Sequence, residues 1–269
     1  MEKCIIPGIA GQARNDEQWV LNSNKIIKER PERAHAHFIA ALCPSVRGHM
    51  NKQEFIDFMA GAGVLTFGDF TTKSGRKTPY FVNTGNYKTG MHISMLGDYY
   101  SDCIVNSGEQ FNALFGPAYK GITLAAATAG SLYRNHGIDI PYFFNRKEIK
   151  DHGEGGAIVG YIPQNGDKII IIEDVVTAGT AVRESLELLK AVAEITVTAL
   201  FVSVDRMERG TGERSTLDEL RDEFGINVYS IITVRDIIDS FPHCDERVAK
   251  MEEYLVRYGT VTLAGKGNY

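Results

Sequence analysis

The chain has 269 residues, of which 43% are hydrophobic and 23% charged, and its formal net charge at neutral pH is −5. A chain of this length and composition can bury a sizeable core, as one large domain or two small ones. The acidic balance argues against a broad nucleic-acid surface, because such surfaces need an excess of Lys and Arg.

The cysteines and the apolar runs limit the class of protein further. Cys4, Cys43, Cys103 and Cys244 show no CxxC pair and no histidine at zinc-ligand spacing, so neither a metal site nor a disulfide framework is predicted. No stretch reaches the roughly 18 apolar residues that a membrane span requires, and the N-terminus lacks a basic segment followed by an apolar run. We therefore expect a cytoplasmic protein without a nucleic-acid or membrane partner.

The first part of the chain differs in composition from the rest. Residues 1–49 contain the polar runs GQARNDEQ and KIIKERPERAHAH, and the apolar residues between them keep no sustained helical or strand period. This composition predicts an accessory or poorly ordered extension. We expect the globular domain to span residues 50–260 and residues 261–269 to form a tail.

From residue 50 onward, helical and strand-like segments alternate. In chain order they are helix NKQEFIDFMAGAG, strand TPYFVNTG, helix HISMLGDYYSDCIVNSG, strand FNALFG, helix GITLAAATAGSLYRNHG, strands IPYFFNR and KIIII, helix AVRESLELLKAVA, strand ITVTALFVSVD, helix STLDELRDEFG, strand NVYSIITV and helix DERVAKMEEYLVRYG. These strands are apolar throughout and not only on one face. The pattern predicts an α/β domain with a central, mainly parallel sheet flanked by helices.

The run IIIIEDVVTAGTA, residues 169–181, places two carboxylates directly after a strand that is built for burial. Ligands bind at the carboxyl ends of strands in such sheets, so Glu173 and Asp174 are predicted to lie at a binding site. Carboxylates only accept hydrogen bonds, and a neighbouring pair suits the two adjacent hydroxyls of a ribose. The small residues around Gly179 and the N-terminus of the next helix suit a phosphate. The stretch therefore predicts a ribose 5-phosphate site, although each feature alone would also suit an ordinary turn.

The same run resembles the phosphoribosyl-pyrophosphate (PRPP) signature of the type I phosphoribosyltransferases. Further segments resemble those of orotate phosphoribosyltransferases, in the family's order and at roughly its spacing: FTTKSGRKTPYFVNTG (70–85), LFGPAYKGI (114–122), FNRKEIKDHGEGGAIVG (144–160) and SVDRMERG (203–210). The resemblance implies the type I fold with a small base-binding hood. It also implies Mg²⁺-dependent transfer of ribose 5-phosphate from PRPP to N1 of orotate, giving orotidine 5′-monophosphate (OMP) and pyrophosphate in pyrimidine biosynthesis.

Site residues follow from the resemblance, position by position. The PRPP contacts that it implies are Lys73, Tyr119, Lys120, Arg146, Lys147, Lys150, His152, Glu173, Asp174, Val175, Val176, Thr177, Ala178, Gly179, Thr180 and Ala181. The orotate contacts that it implies are Lys73, Phe81, Val82, Thr177 and Arg206. Catalytic roles are implied for Lys150, His152 and Asp174. The position of Val82 is often Phe in the family, which leaves the packing of the base pocket open.

Two of these residues also have a simpler interpretation. Arg206 matches an arginine that pairs with the orotate carboxylate, a task that suits the planar, two-pronged guanidinium. It would equally suit a surface arginine paired with Glu208 or Asp205. Tyr119 matches a PRPP contact, but a lone tyrosine is also commonly a core aromatic.

The segment NRKEIKDHGEGG concentrates Arg146, Lys147, Lys150 and His152 before a run of glycines. Such a run is usually a charged surface loop, but the glycines favour a lid. Cations that meet the departing pyrophosphate would stabilise the transition state more than the bound substrate. The resemblance implies that this lid is shared across a homodimer interface. Mg²⁺ is expected to bind mainly through PRPP and water, without a protein cage.

Two alternatives share the PRPP site. The first is a phosphoribosyltransferase for a purine or another base, which Arg206 argues against because a purine has no carboxylate. The second is a PRPP-sensing regulator without catalysis, which the predicted lid and the acidic charge argue against.

Overall fold

The computed structural model describes the backbone of residues 18–22 and 25–29, and residues 51–72, 75–147, 156–210 and 212–260 in full. The chain divides into two compact units, Met1–His49 and Met50–Tyr269. In the first unit, strands β1 (Gln18–Asn22) and β2 (Lys25–Glu29) form an antiparallel pair, which the polarity of the surrounding sequence does not predict. That residues 1–49 act as an accessory extension stays a prediction.

The second unit alternates helices with strands, as the sequence predicts. Its first half contains α1 (Lys52–Gly61), β3 (Leu65–Thr71), β4 (Lys77–Val82), a 3-10 helix (Thr84–Asn86), α2 (Gly90–Ser107), β5 (Ala113–Phe115), α3 (Lys120–His136) and β6 (Tyr142–Asn145). Its second half contains β7 (Ile158–Gly160), β8 (Lys168–Ile172), α4 (Thr180–Val192), β9 (Thr196–Asp205), α5 (Thr216–Phe224), β10 (Asn227–Thr233), α6 (Val234–Asp239) and α7 (Glu246–Tyr258).

The main sheet has the strand order β10-β9-β8-β5-β6-β7. Strands β10, β9, β8, β5 and β6 run parallel to their neighbours, and β7 pairs antiparallel with β6 at one edge. This arrangement confirms the predicted central, mainly parallel sheet. The short edge strand β7 was not predicted, because it follows a run of glycines and carries only two apolar residues.

The four isoleucines of β8 explain why the sheet is covered on both sides. Ile170 and Ile172 belong to the core formed with α1, α2, α3, α6 and α7, whereas Ile169 and Ile171 belong to the core formed with α4 and α5. All four are fully buried. Because successive strand residues point to opposite faces, only a strand that is covered on both faces can bury every one of its side chains.

Strands β3 and β4 form a separate antiparallel hairpin outside the main sheet. Strand β4 was predicted from its aromatic residues, whereas β3 was not. Tyr80 of β4 is fully buried and packs edge-on against Tyr254 of α7, with 6.0 Å between the ring centroids. This hairpin is the element that corresponds to the small hood implied by the resemblance.

Candidate active site

The acid pair lies where β8 leaves the sheet, and its backbone is held from several sides. The Glu173 amide donates to the Phe201 carbonyl at 3.0 Å, and the Glu173 carbonyl accepts from the Tyr100 hydroxyl at 2.7 Å. The Asp174 carbonyl accepts from both the amide and the hydroxyl of Ser203, at 2.9 and 2.7 Å. The hydrogen bonds to β9 and α2 therefore fix where the two carboxylates leave the core.

The two carboxyl groups have different environments. The Glu173 Oε1 accepts from the Asp174 amide at 3.0 Å, while the Asp174 Oδ2 lies 2.7 Å from the Lys120 ammonium. Burial, followed by the hydrogen bond with Asp174, raises the pKa of Glu173 to about 8. Burial alone would raise the pKa of Asp174 too, but hydrogen bonds from Glu173, Lys120 and Thr84 together lower it. The pKa values of the two carboxyls are therefore shifted in opposite directions, and Glu173 is the more basic of the pair.

A threonine that the sequence did not predict completes this arrangement. The Thr84 hydroxyl donates to the Asp174 Oδ2, and it accepts from the Lys120 ammonium at 2.8 Å. Thr84 begins the 3-10 helix directly after β4. The signal for it, a threonine between asparagine and glycine after an apolar strand, is too common in turns to identify a site residue.

The predicted phosphate loop and the acid pair line one cavity of about 370 Å³, together with residues 118–120. Gly179 ends the loop with a φ of 73° immediately before α4. A Cβ there would lie 2.8 Å from the Arg183 Nη1 and 2.9 Å from the Thr216 Cγ2, so the position requires glycine. The Thr216 hydroxyl donates to the Thr177 carbonyl at 2.7 Å. The loop thus presents the amides at the start of α4 to the cavity.

The segment before α3 also lines this cavity. A Cβ on Gly116 would lie 2.0 Å from the Gly121 carbonyl oxygen, so the segment folds back closely on itself. The Ala118 amide donates to the Asn145 Oδ1 at 2.8 Å, and the peptide bond between Ala118 and Tyr119 is cis. Tyr119 is 72% exposed. The interpretation of Tyr119 as a core aromatic is therefore wrong.

Arg206 follows β9 and is paired within the protein. Its Nε donates to the Glu208 Oε1 at 2.9 Å, and its Nη2 lies 2.6 Å from the same oxygen. The Nη2 contact lacks the alignment of a hydrogen bond, and this buried donor has no acceptor in the described part of the chain. Asp205 is not its partner, because the Asp205 carboxylate accepts from the Met207 amide at 2.7 Å. The guanidinium is therefore held by an internal ion pair with Glu208.

The β3–β4 hairpin carries the other predicted orotate contacts. Phe81 is partly exposed beside Phe70, with 5.6 Å between the ring centroids, and Val82 packs against the core. The Arg76 guanidinium donates to the carbonyls of Arg209 and Gly210 at 3.0 and 3.3 Å. These bonds tie the hairpin to the segment that follows Arg206. Lys73 lies outside the described residues.

The predicted lid is described only at its start. The Arg146 amide donates to the Ala157 carbonyl at 2.8 Å, and the Lys147 ammonium lies 4.0 Å from the Glu184 carboxylate on α4. Lys150 and His152 lie outside the described residues, so their predicted roles stay predictions.

The predicted PRPP contacts at Tyr119, Lys120 and residues 173–181 line the one cavity of about 370 Å³. Five residues that the sequence analysis did not predict form hydrogen bonds to residues that line this cavity: Thr84, Tyr100, Asn145, Ser203 and Thr216. They act through hydroxyl and amide groups on neighbouring elements. Such residues can be recognised only once the fold brings them next to the acid pair.

The donor set of this cavity fits a magnesium ion that arrives with its substrate. Carboxylate and hydroxyl oxygens, the ligand type that Mg²⁺ prefers, are supplied at this cavity by Glu173, Asp174, Thr177 and Thr180. Among residues 51–72, 75–147, 156–210 and 212–260, no cluster of three or more His, Cys, Asp or Glu side chains is arranged to hold a metal. Within the same ranges, no helix has the length and apolar character to cross a membrane.

Comparison with known proteins agrees with this geometry. Residues 83–230 match the family model described as phosphoribosyl transferase domain. A curated orotate phosphoribosyltransferase from Clostridium beijerinckii is 47% identical over 218 residues, which cover 77% of this chain and 97% of that protein. One from Clostridium acetobutylicum is 51% identical over 189 residues, covering 70% and 84%. The crystal structure of orotate phosphoribosyltransferase from Francisella tularensis superposes with a TM-score of 0.70 at 37% identity, covering 77% of this chain and 99% of that one.

Proposed function

The chain belongs to the orotate phosphoribosyltransferase family, and we propose that its acid-pair cavity transfers ribose 5-phosphate from PRPP to orotate. The products are OMP and pyrophosphate, which places the enzyme, a pentosyltransferase, in pyrimidine biosynthesis. The observation that carries the proposal is the single cavity shared by Glu173, Asp174 and the loop of residues 177–181. An acid pair and an anion-binding loop at that spacing suit the two ends of a ribose 5-phosphate.

The reaction exchanges two bonds at ribose C1. The C1–O bond breaks and its electron pair leaves with pyrophosphate, while the N1 electron pair of orotate forms the new bond and N1 loses its proton. Glu173 and Asp174 hold the ribose hydroxyls, and residues 177–181 hold the 5-phosphate. Tyr119 and Lys120 line the same cavity, where the Lys120 ammonium would stabilise the departing pyrophosphate. No covalent nucleophile is required, since positioning and electrostatics supply the rate.

Residues of the β3–β4 hairpin would contact the orotate base. We assign Lys73, Phe81, Val82 and Thr177 to the orotate ring, and Arg206 to its carboxylate. The planar guanidinium supports this assignment, because it can form two parallel hydrogen bonds to a carboxylate. A purine has no carboxylate to accept them.

Three further features rest on the family resemblance. Mg²⁺ would bind mainly through PRPP oxygens and water near Asp174, and when bound it would neutralise part of the pyrophosphate charge. Arg146, Lys147, Lys150 and His152 would form a lid that closes on pyrophosphate and excludes water from the ribosyl cation. The enzyme would act in the cytoplasm as a homodimer, each lid serving the neighbouring subunit.

The reaction can be tested by following the loss of orotate absorbance after addition of PRPP and Mg²⁺. We expect turnover that requires all three components, with OMP and pyrophosphate formed in equal amounts. Uracil, adenine and guanine serve as controls, since none carries the carboxylate. Turnover of adenine or guanine in place of orotate would favour a purine enzyme. PRPP binding without turnover of any base would favour a regulator.

Mixing two inactive variants tests whether the lid is shared. Lys150→Ala and Asp174→Asn subunits, co-expressed with different tags, should form mixed dimers in which one of the two sites has both an intact lid and an intact acid. At random assortment, activity should recover to about a quarter of wild type. If each lid served its own subunit, the mixture would show only the mean of the two parent activities.

A further inference from the structure

We propose that Thr84 is a positioning residue that holds the Lys120 ammonium and the Asp174 carboxylate in the geometry that ribosyl transfer requires. The inference deepens the proposed function and rests on it. Neither composition nor family resemblance assigns Thr84 a role. What points to it is a closed set of three contacts, in which Lys120 donates to Thr84, Thr84 donates to Asp174 and Lys120 also donates to Asp174.

The number of donors and acceptors on these three groups shows which of them remain available to a substrate. A hydroxyl has one donor and two acceptor positions, so Thr84 can serve Asp174 and Lys120 at once. An ammonium has three donors. Lys120 donates one hydrogen bond to Thr84 at 2.8 Å and one to Asp174 at 2.7 Å. The third remains for a substrate oxygen. At Asp174 both of these contacts fall on Oδ2, so neither of them occupies Oδ1.

The Lys120 side chain needs the contact with Thr84 because it is largely exposed and few neighbouring atoms restrict its conformation. Its side chain is 58% exposed, against 14% for Asp174, and a long exposed lysine loses considerable rotamer freedom when it is fixed. A contact to Asp174 alone would leave the ammonium free to swing about that oxygen. The second contact, to Thr84, fixes its direction before the substrate binds, which is the condition for efficient electrostatic stabilisation.

The backbone around Thr84 is itself well held. The Asn83 side chain accepts from the Gly85 amide at 3.2 Å, and the Tyr87 amide donates to the Thr84 carbonyl at 3.1 Å. The Asn86 side chain donates to the Gly63 carbonyl at 2.6 Å, which ties the turn to the end of α1. The hydroxyl is therefore presented from a fixed turn at the end of β4, between the hairpin and the acid pair.

The test compares Thr84→Val, Thr84→Ser and wild type in the orotate assay. Valine keeps the shape of threonine but removes the hydroxyl. We expect Thr84→Val to lower kcat by about ten-fold or more, the effect of losing a hydrogen bond to a charged group, with a smaller change in the KM for PRPP. Thr84→Ser should recover most of the rate. Thr123→Val is the matched control, because within the described residues the Thr123 hydroxyl donates to the Lys120 backbone carbonyl, at 3.0 Å, and not to Asp174.

A double-mutant cycle then separates positioning from a structural role. If Thr84 acts through Lys120, Thr84→Val should cost little in a Lys120→Ala background, and all variants should unfold at nearly the wild-type temperature. A Thr84→Val enzyme with wild-type kcat, or a serine variant as slow as the valine variant, would overturn the proposal while leaving the function intact. A wild-type protein without orotate-dependent PRPP consumption would overturn the proposed function, and this inference with it.

Discussion

Arg206 and Glu208, two residues apart beyond β9, form an ion pair in which Nη2 lies 2.6 Å from Oε1. The guanidinium carbon also lies 5.2 Å from the centre of the Tyr80 ring on the β3–β4 hairpin. The Tyr80 hydroxyl donates to the same Glu208 oxygen at 3.2 Å. The arginine assigned to the orotate carboxylate is therefore held in place by an acid and an aromatic ring before any substrate is present.

Replacing this guanidinium should weaken orotate binding selectively. Arg206→Lys keeps the charge opposite Glu208 but loses the planar pair of donors. We expect the KM for orotate to rise about ten-fold or more, with little change in the KM for PRPP. Arg206→Ala is a poorer test, since it leaves the partly buried Glu208 without a counter-charge and would lower the stability of the fold as well.

The matched control for this change is Arg209→Lys. Arg209 pairs with the exposed Glu213 at 3.3 Å and has no assigned contact with the base. Equal orotate KM values for Arg206→Lys and wild type would remove Arg206 from the base site.

The phosphate loop should not tolerate a side chain at Gly179. Gly179→Ala places a Cβ within 3 Å of Arg183 and Thr216, so the loop must move. We expect the KM for PRPP to rise by about ten-fold or more, because displacement of a positioning group by about 1 Å can cost 100-fold.

Gly166 provides a control with the same backbone strain. Its φ is 89°, and a Cβ there meets nothing within 4 Å. Gly166→Ala should cost about 1–2 kcal/mol of stability for its left-handed backbone, with unchanged kinetics. Similar PRPP kinetics in both variants would mean that the loop does not hold the phosphate.

The raised pKa of Glu173 predicts a pH dependence of stability. Because the folded protein binds this proton more tightly than the unfolded chain, the contribution is complete below the ordinary pKa of 4.5 and is lost as the pH rises through about 8. Glu173→Gln mimics the protonated form at every pH. The Tm of wild type should therefore fall relative to that of Glu173→Gln between about pH 4.5 and about pH 8, by about 2–4 °C for each kcal/mol lost.

Glu187→Gln removes one charge from an exposed position on α4 and controls for net charge. Its Tm difference from wild type should stay flat over the same pH range. A flat difference for Glu173→Gln as well would show that Glu173 is ionised at neutral pH in the folded protein.

The first unit of the chain should be dispensable for the reaction. The phosphoribosyl transferase match begins at residue 83, and every predicted site residue lies beyond residue 72. A protein that begins at Met50 should keep kcat and both KM values within about two-fold. Loss of orotate turnover by a folded Met50 variant would assign residues 1–49 a part in the site.

Much of the sheet and the acid pair could be predicted from the sequence, because those features are local. Four adjacent isoleucines require burial on both faces, and two carboxylates directly after them mark the end of a strand at a ligand site. The same logic located the loop at Gly179. These inferences depend only on neighbouring residues and on the period of secondary structure.

Contacts between distant segments could not be predicted in this way. Thr84 and Asp174 are 90 residues apart, and only the folded sheet shows that they touch. Strand β3 was missed because its residues are partly exposed and interrupted by glycine, so its pattern is weak. The pairing of Arg206 with Glu208 was open in the sequence, since a nearby acid and a substrate carboxylate suit a guanidinium equally well.

The most direct test is a crystal structure of the protein with PRPP and Mg²⁺. The ribose hydroxyls should lie within hydrogen-bonding distance of Glu173 and Asp174, and the 5-phosphate should lie against the amides of residues 177–181. Well-ordered PRPP bound elsewhere, with water alone at these carboxylates and amides, would contradict the account.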